Sequence, residues 1–427
     1  MASLLASVPL AGIASQTDQT HDAPDSSTSH EGVEGILHII RGGEFHGGMR
    51  LLYYETQNAY FTPEEDQSTA TLGGQLGFAS ASFHGLSFRI SGYGQHGIDH
   101  SDNPAEVEPS LAPNIAVLGQ AYLQWQGNGV RLRAGNQMLN QVPFASGYDF
   151  RIIPEIYRGV SARIGNDKHY LRVLRMFRYK SRVNDEYDKT TNYNTDFVDY
   201  PPNTTRETGG FWAIGGGGRA DAGPTALSGR AWFFNYRDYA NMVYADGEIA
   251  RSAGSIQPFV GAQVIRETET GAAVLGHIDH QTYGLQTGIR HHSLTASLSY
   301  DYIPHDDDSV LNGALVTPYA HNVASGPYFA QPLLNSTQDL GSGNAYAIDI
   351  KGAPARHAFL GARYSYMDLR PSEGADSIGQ SEYLIFASYK FDGALDGLSL
   401  RDAVAYQTRD SSSVDFWENR LTLGYSF

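Results

Sequence analysis

Apolar and polar residues alternate along most of the chain from Phe45 onward. The segment 86–93 reads LSFRISGY, in which apolar side chains occupy every second position at its start, and segments 130–135, 294–300 and 420–427 follow the same rule. Successive side chains of a β-strand point to opposite faces, so each segment predicts a strand with one apolar and one polar face.

The connections between these segments alternate between short and long. Tight turns are predicted at 84–85, 127–129, 165–168 and 291–292, where Gly, Asn and His are common, and Gly and Asn readily adopt the positive φ of such turns. Between them lie long loops at 56–68, 97–113, 139–156, 180–208, 303–344 and 368–379. This regular alternation is typical of a transmembrane barrel with short periplasmic turns and long outer loops, and a sandwich gives no reason for it.

The pattern predicts a single antiparallel β-barrel of roughly 18 strands over residues 41–427, an all-β fold. Strands are expected to start near residues 45, 69, 86, 114, 130, 157, 169, 209, 226, 240, 257, 281, 293, 345, 357, 380, 397 and 413. The connection at 236–239 is short for an outer loop, which leaves the count open by two strands. Loop 139–156 contains Pro143 and Pro154, which restrict its backbone, and we expect it to fold into the lumen.

Composition agrees with this fold and excludes several function classes. The chain has 427 residues, 47 Gly, 27 Tyr and a formal net charge of −16, without a basic run, which argues against nucleic-acid binding. It has no Cys, so disulfides, thiolate metal sites and cysteine nucleophiles are excluded. The mean hydropathy of −0.35 is compatible with a barrel, because only alternate residues of its strands face lipid.

The first 40 residues precede the predicted barrel. Residues 1–16 are apolar and rich in small side chains, as in the end of a secretory signal peptide, and Gly12-Ile13-Ala14 fits a cleavage site. The first basic residue is Arg41, so a plain disordered N-terminus remains an alternative. Residues 17–40 are mostly polar, and we expect them to be disordered.

A family resemblance lies in the middle of the chain. Segments 133–144 (RAGNQMLNQVPF) and 149–159 (DFRIIPEIYRG) resemble the third-loop region of the OprD-type porins, the outer-membrane carboxylate channels. Segments 72–77 and 83–88 resemble the first hairpin of that family, and 326–329 resembles part of its seventh loop. The resemblance covers most of residues 45–427, but loop 180–208 does not match, which leaves the solute open.

The resemblance implies an 18-stranded channel, a monomer or weak oligomer, in the bacterial outer membrane. Its partners would be membrane lipid and lipopolysaccharide, small solutes such as carboxylates or amino acids, and the barrel-assembly machinery. That machinery would read the last strand, which ends in the aromatic Phe427, as its assembly signal.

Alternation assigns a set of arginines to the polar, inward face of the strands, where they would line the pore. They are Arg50, Arg89, Arg131, Arg133, Arg163, Arg172, Arg290, Arg363, Arg401 and Arg420. An arginine that faces hydrocarbon at mid-membrane costs about 2–4 kcal/mol, so a wet lumen suits them. A file of arginines would attract anions, similar to the basic ladder of that family. Alternatively, these arginines pair with Asp301, Asp349, Glu382 or Glu418 and hold the barrel in shape.

Two further candidates lie on the predicted inward loop. Asp149 and Arg151 are two positions apart, so both side chains can face one side. We predict that Arg151 is the cation at the constriction, where it would meet the solute. The alternative, compatible with the first, is an Asp149–Arg151 pair that pins the loop to the wall.

These observations predict a porin for substrate-preferring passive diffusion of small solutes through an arginine-lined pore. A barrel enzyme would need a nucleophile and histidine at the rim, and no such arrangement is recognisable, so we expect no catalytic residue, metal or cofactor. A polysaccharide export barrel and a structural or adhesive surface barrel remain alternatives.

Overall fold

The structure is a computed structural model, which describes residues 39–145, 151–191, 207–320, 328–334, 341–372 and 374–427. The predicted signal-like segment 1–16, nearly all of segment 17–40 and Asp149 lie outside the described residues.

Eighteen antiparallel strands form one closed ring. They are β1 (Glu44–Gln57), β2 (Gln67–Ala79), β3 (Leu86–His100), β4 (Ile115–Gly127), β5 (Val130–Gln137), β6 (Ile156–Gly165), β7 (His169–Lys180), β8 (Phe211–Ala222), β9 (Thr225–Tyr236), β10 (Ala240–Arg251), β11 (Ile256–Glu269), β12 (Asp279–His291), β13 (Leu294–Ile303), β14 (Ser342–Ala355), β15 (Ala358–Arg370), β16 (Ile378–Lys390), β17 (Leu398–Arg409) and β18 (Phe416–Ser426). Each strand pairs with its neighbours in sequence, and β1 also pairs with β18.

The predicted barrel is confirmed. Every predicted strand start lies within three residues of the observed one. The short outer connection is real, because β9 ends at Tyr236 and β10 begins at Ala240, and the count of 18 includes both strands. The tight turns contain residues in the left-handed region, including His84 with a φ of 49° and Asn128 with a φ of 50°.

The two faces of the wall differ in chemistry. Outward side chains of the strands are apolar and exposed, as for Leu298 at 55% and Ile350 at 49%. Aromatic rings lie at the loop end of the outer face, where Tyr300 and Tyr346 approach to 5.1 Å between ring centres, and at the turn end, where Tyr425 lies 6.2 Å from Phe427. Such aromatic belts mark the two membrane–water boundaries of a barrel. None of the short helical turns in the described part of the chain is long and apolar enough to cross a membrane.

The wall has a short strand where the chain leaves it for the lumen. β5 ends at Gln137, and the last recorded pair between β4 and β5 joins Ala121 to Asn136, so the outer part of β4 extends beyond β5. There the Tyr187 hydroxyl donates to the carbonyl oxygen of Gly119 at 2.7 Å and lies 3.0 Å from that of Leu118. A loop side chain therefore satisfies backbone carbonyls that a neighbouring strand would otherwise have bonded.

The last residue of the chain belongs to the seam that closes the ring. The backbones of Gly47 and Phe427 exchange two hydrogen bonds of 3.1 Å. A Cβ atom on Gly47 would lie 2.6 Å from Cζ of the Phe427 ring, so the glycine leaves the space that this ring occupies.

Deletion of Phe427 should lower the yield of folded barrel, because it removes two seam hydrogen bonds and a boundary aromatic ring. The yield is measured as the fraction with heat-modifiable migration on electrophoresis, with the substitution Asp167→Asn, which keeps the length of an exposed turn, as the control. An unchanged fraction after deletion of Phe427 would contradict its role in assembly.

Candidate functional site on the inward face of the barrel

The loop between β5 and β6 contacts the inward face of the wall in both of its described parts. In the first part, Leu139, Val142 and Phe144 are buried, and the Phe144 ring lies 5.6 Å from that of Tyr244. In the second part, Ile152 and Ile153 pack among inward side chains of β1 and β3. Apolar burial therefore holds this loop against two sides of the lumen.

Two of the predicted pore arginines tether this loop. Arg50 donates from Nη1 to the backbone oxygen of Arg151 at 3.0 Å, and Arg172 donates to the backbone oxygen of Asn140. The two bonds fix the loop near its two ends.

Arg151 lies elsewhere than the sequence predicts. Its side chain is only 3% exposed, its Nε donates to Ser110 Oγ at 3.0 Å, and its Nη2 lies 3.5 Å from Glu108 Oε1. Its guanidinium carbon also lies 5.1 Å from the centre of the Tyr54 ring. The side chain therefore pins the inward loop to the loop between β3 and β4, and its carboxylate partner in the described residues is Glu108.

Glu108 is a site residue that the sequence did not predict. It lies in a loop, where no alternation of apolar and polar residues indicates which way a side chain points. Burial favours the neutral form of its carboxyl, but Arg151, Arg182 and a hydrogen bond from Ser110 outweigh burial and lower the pKa of Glu108 below its usual value. The pair is therefore a buried salt bridge between two charged groups.

A second inward segment lies in the loop between β13 and β14. We call residues 328–334 the strap. Asp301 accepts a hydrogen bond from the backbone N–H of Ala330 at 2.6 Å, and Glu382 accepts one from that of Leu333 at 2.7 Å. Both wall carboxyl groups are fully or almost fully buried, so they serve the strap rather than solvent.

Two more predicted pore arginines bind the carbonyl groups of the strap. Arg363 donates from Nη2 to the backbone oxygens of Phe329 at 2.8 Å and Gln331 at 2.7 Å. Arg420 donates to that of Leu334 at 3.2 Å. Arginines and carboxyl groups of the wall thus hold the strap through its backbone.

Ion pairs are common on this side of the barrel. The inward pairs are Arg230–Asp246, Arg290–Glu248, Arg363–Asp349 and Arg420–Glu418. Arg363 and Arg420 thus pair with Asp349 and Glu418, two of the four acids that the sequence named as alternative partners, whereas Arg290 pairs with Glu248, which it did not name. Arg230 is not among the arginines predicted from the sequence. It lies on an inward position of β9, but the alternation of apolar and polar residues is weak in that strand.

The strands on the opposite side of the lumen are basic. Strands β4 to β7 contain seven arginines and one lysine but no Asp or Glu. Four of these arginines lie on inward positions, and we call them the basic arc: Arg131, Arg133, Arg163 and Arg172. In the sheet register Arg131 lies opposite Arg163, and Arg163 lies opposite Arg172. Like charges in directly opposed positions repel, so this row is costly unless water or an anion screens it.

Several hydrogen bonds of the arc go to uncharged oxygens. Arg131 donates to the side-chain oxygen of Gln126 at 3.1 Å, and Arg133 donates to that of Gln124 at 2.7 Å. Arg163 donates to the backbone oxygen of Asn166 at 2.9 Å, and its nearest carboxylate, on the fully exposed Asp167, is 3.4 Å away.

The two remaining predicted arginines, Arg89 and Arg401, lie on inward positions of β3 and β17. Arg89 lies opposite Tyr122, whose ring centre is 4.9 Å from the guanidinium carbon of Arg133, so Arg89 extends the basic arc by one strand. Arg401 lies opposite Ser388 and Thr422, near the turn end of the wall.

Removal of either partner of the buried Glu108–Arg151 pair should strongly destabilise the protein. We expect Glu108→Ala and Arg151→Ala each to lower the free energy of unfolding by about 3 kcal/mol, and the double variant to lose less than the sum. Denaturant unfolding in lipid vesicles measures this coupling. The exposed pair Lys189–Glu207 is the matched control, with an expected coupling below about 1 kcal/mol. Equal coupling in the two pairs would contradict the pinning role.

Loss of the Glu382 carboxylate should loosen the strap. Glu382→Ala removes the acceptor of the Leu333 N–H, and a buried donor without a partner costs about 1–3 kcal/mol. Amide hydrogen exchange in the strap, followed by mass spectrometry, should speed up about tenfold or more, while Glu55→Ala on the outward face of β1 should leave it unchanged. Equal exchange in both variants would show that other contacts hold the strap.

Sequence comparison identifies a family. The family model described as "outer membrane porin, OprD family" matches residues 67–427. A search of curated proteins gives no match.

Solved structures share the fold. The Pseudomonas aeruginosa porin OccK9 (OpdG) superposes with a TM-score of 0.75 at 18% identity, over 91% of this chain and 99% of that chain. P. aeruginosa OpdK, solved with vanillate, gives a TM-score of 0.75 at 15% identity, over 91% and 99% of the two chains. Acinetobacter baumannii OccAB4 gives 0.73 at 16% identity, over 90% and 98%.

The family match and the closed barrel agree with the expected location in the outer membrane. They also indicate a channel rather than an enzyme. The chain belongs to the OprD family of outer membrane porins.

Proposed function

We propose that this porin is a passive channel that prefers small solutes with a carboxylate group, such as carboxylates and amino acids, and that these solutes pass along the basic arc. The observation that carries the proposal is the composition of strands β4 to β7. In a chain with a net charge of −16, these four consecutive strands contain no acidic residue and direct four arginines inward.

The spacing of the arc suits transfer of an anion from one group to the next. Neighbouring strands lie about 4.8 Å apart, so Arg131, Arg163 and Arg172 form a row of basic positions across three adjacent strands. A guanidinium can bind a carboxylate through two hydrogen bonds, and an anion between two of them relieves their repulsion. Conduction also requires weak binding at several sites, which a row of similar groups in a wet lumen supplies.

The opposite side of the lumen supports a size limit. There the strap is bound by Asp301, Arg363, Glu382 and Arg420, and the loop between β5 and β6 contacts the wall from the other direction. The two inward segments narrow the lumen, and a narrow lumen admits small solutes more readily than a polymer. Vanillate, present with the structurally similar OpdK, is a small aromatic carboxylate, which agrees with this solute class.

Planar bilayer recordings test the proposal. In a potassium chloride gradient the wild-type reversal potential should indicate anion preference. The variant R131Q/R163Q should lower the anion-to-cation permeability ratio about threefold or more, because it removes two charges from the arc. The matched control is R158Q/R178Q, which removes two arginines from outward positions of β6 and β7 and should leave the ratio unchanged.

Equal ratios in wild type and R131Q/R163Q would contradict the role of the arc. Absence of any conductance in the folded wild-type protein would favour a structural barrel. Passage of long anionic polysaccharide together with small ions would favour an export barrel.

A further inference from the structure

The outward face of strands β6 and β7 carries charge where most of the barrel is apolar. Ile164 and Val160 on β6, and Val173 on β7, are exposed to lipid at 43–49%. Towards the loop end, the outward positions become Arg158 and Arg178, both exposed. The change from apolar to basic residues therefore occurs at the upper edge of the lipid-facing band.

The two arginines lie side by side and are held in place. Arg158 lies directly opposite Arg178 in the sheet register. The guanidinium carbon of Arg158 lies 4.5 Å from the centre of the Tyr187 ring, and its Nε donates to Asn136 Oδ1 at 2.8 Å. Arg178 donates from Nη1 to the backbone oxygen of Tyr187 at 3.1 Å. These contacts use one N–H of each guanidinium, and each has five.

Two more arginines extend this surface. Arg175 is on an outward position of β7, its guanidinium carbon lies 4.7 Å from the centre of the Phe177 ring, and it donates to the backbone oxygen of Gly209 at 2.8 Å. Arg237 is exposed and lies next to Gly209, whose backbone oxygen Arg175 binds. A Cβ atom added to Gly209 would lie 2.7 Å from Cδ of Arg237. Together Arg158, Arg175, Arg178 and Arg237 form what we call the outer basic patch.

No carboxylate of the described residues offsets the two central arginines. The ion pairs of the described chain do not include Arg158 or Arg178, and strands β4 to β7 contain no acidic residue. Two opposed arginines beside lipid repel each other and cost free energy unless an anion binds between them.

We propose that the outer basic patch binds a phosphate group of an outer-leaflet lipid. Long loops lie on the outer side of such barrels, so the patch is level with the headgroups of the outer leaflet. Arginines bind phosphate oxygens through paired, charge-assisted hydrogen bonds. The apolar side chains directly below, including Val160 and Val173, fit the acyl chains of the same molecule. This combination of basic edge and apolar wall favours a phosphorylated lipid over free phosphate.

Native mass spectrometry of the folded protein in detergent tests this site. The probe is a bis-phosphorylated, hexa-acylated disaccharide lipid, compared with the same lipid after removal of its phosphates. Wild type should retain the phosphorylated form at least about tenfold better. The variant R158Q/R178Q should lose this preference, and R219Q/R251Q, which removes two exposed arginines near the turn end, should keep it.

Several outcomes would overturn the proposal. These are equal retention of the two lipids by wild type, unchanged preference in R158Q/R178Q, and displacement of the lipid by an equal concentration of inorganic phosphate. Loss of a dimer in R158Q/R178Q, without loss of lipid preference, would assign the patch to a second copy of the chain. If the double variant does not fold, the single variant R178Q replaces it. Its preference for the phosphorylated lipid over the dephosphorylated lipid should be several-fold lower than that of wild type. Retention is measured without current, so it fails or succeeds independently of the proposed channel function.

Discussion

The need to bond every backbone polar group inside a hydrocarbon layer determines most of this structure. A strand ladder meets that need only when it closes on itself, and here β1 and β18 close it, with Gly47 and Phe427 completing the seam. The same requirement explains the contact at the end of β5. Where the chain leaves the wall, the Tyr187 hydroxyl binds the carbonyl group of Gly119, so the inward loop departs without leaving that oxygen unbonded.

Segments that enter the lumen raise the same problem, and charged wall residues solve it. Arg50 and Arg172 bind carbonyl groups of the inward loop, while Asp301 and Glu382 bind N–H groups of the strap. The inward arginines therefore divide into two kinds. Some hold loops or pair with wall carboxylates, and others form the basic arc on strands without acidic residues; Arg172 belongs to both groups.

The strand pattern and the inward position of the wall arginines could be predicted from the sequence, because alternation is a local property that the pleat enforces. The partners of those arginines could not. Arg363 and Asp349 lie opposite each other only through the register of β14 and β15, and Glu108 reaches Arg151 from a loop without periodicity. Arg151, which the sequence predicts as a solute contact, is buried beside Glu108 and Ser110. The row Arg131–Arg163–Arg172 likewise depends on register, although the absence of acidic residues from strands β4 to β7 is visible in the sequence.

The central claim, that solute anions follow one side of the lumen, can be tested by locating an anion directly. A crystal of the protein soaked with a bromine-labelled aromatic carboxylate would show the bromine by anomalous scattering. We expect peaks along the inward face of β4 to β7, beside Arg131, Arg133 and Arg163. Peaks confined to the opposite wall, beside Arg290 or Arg363, or no peak in the lumen at saturating concentration, would contradict the account.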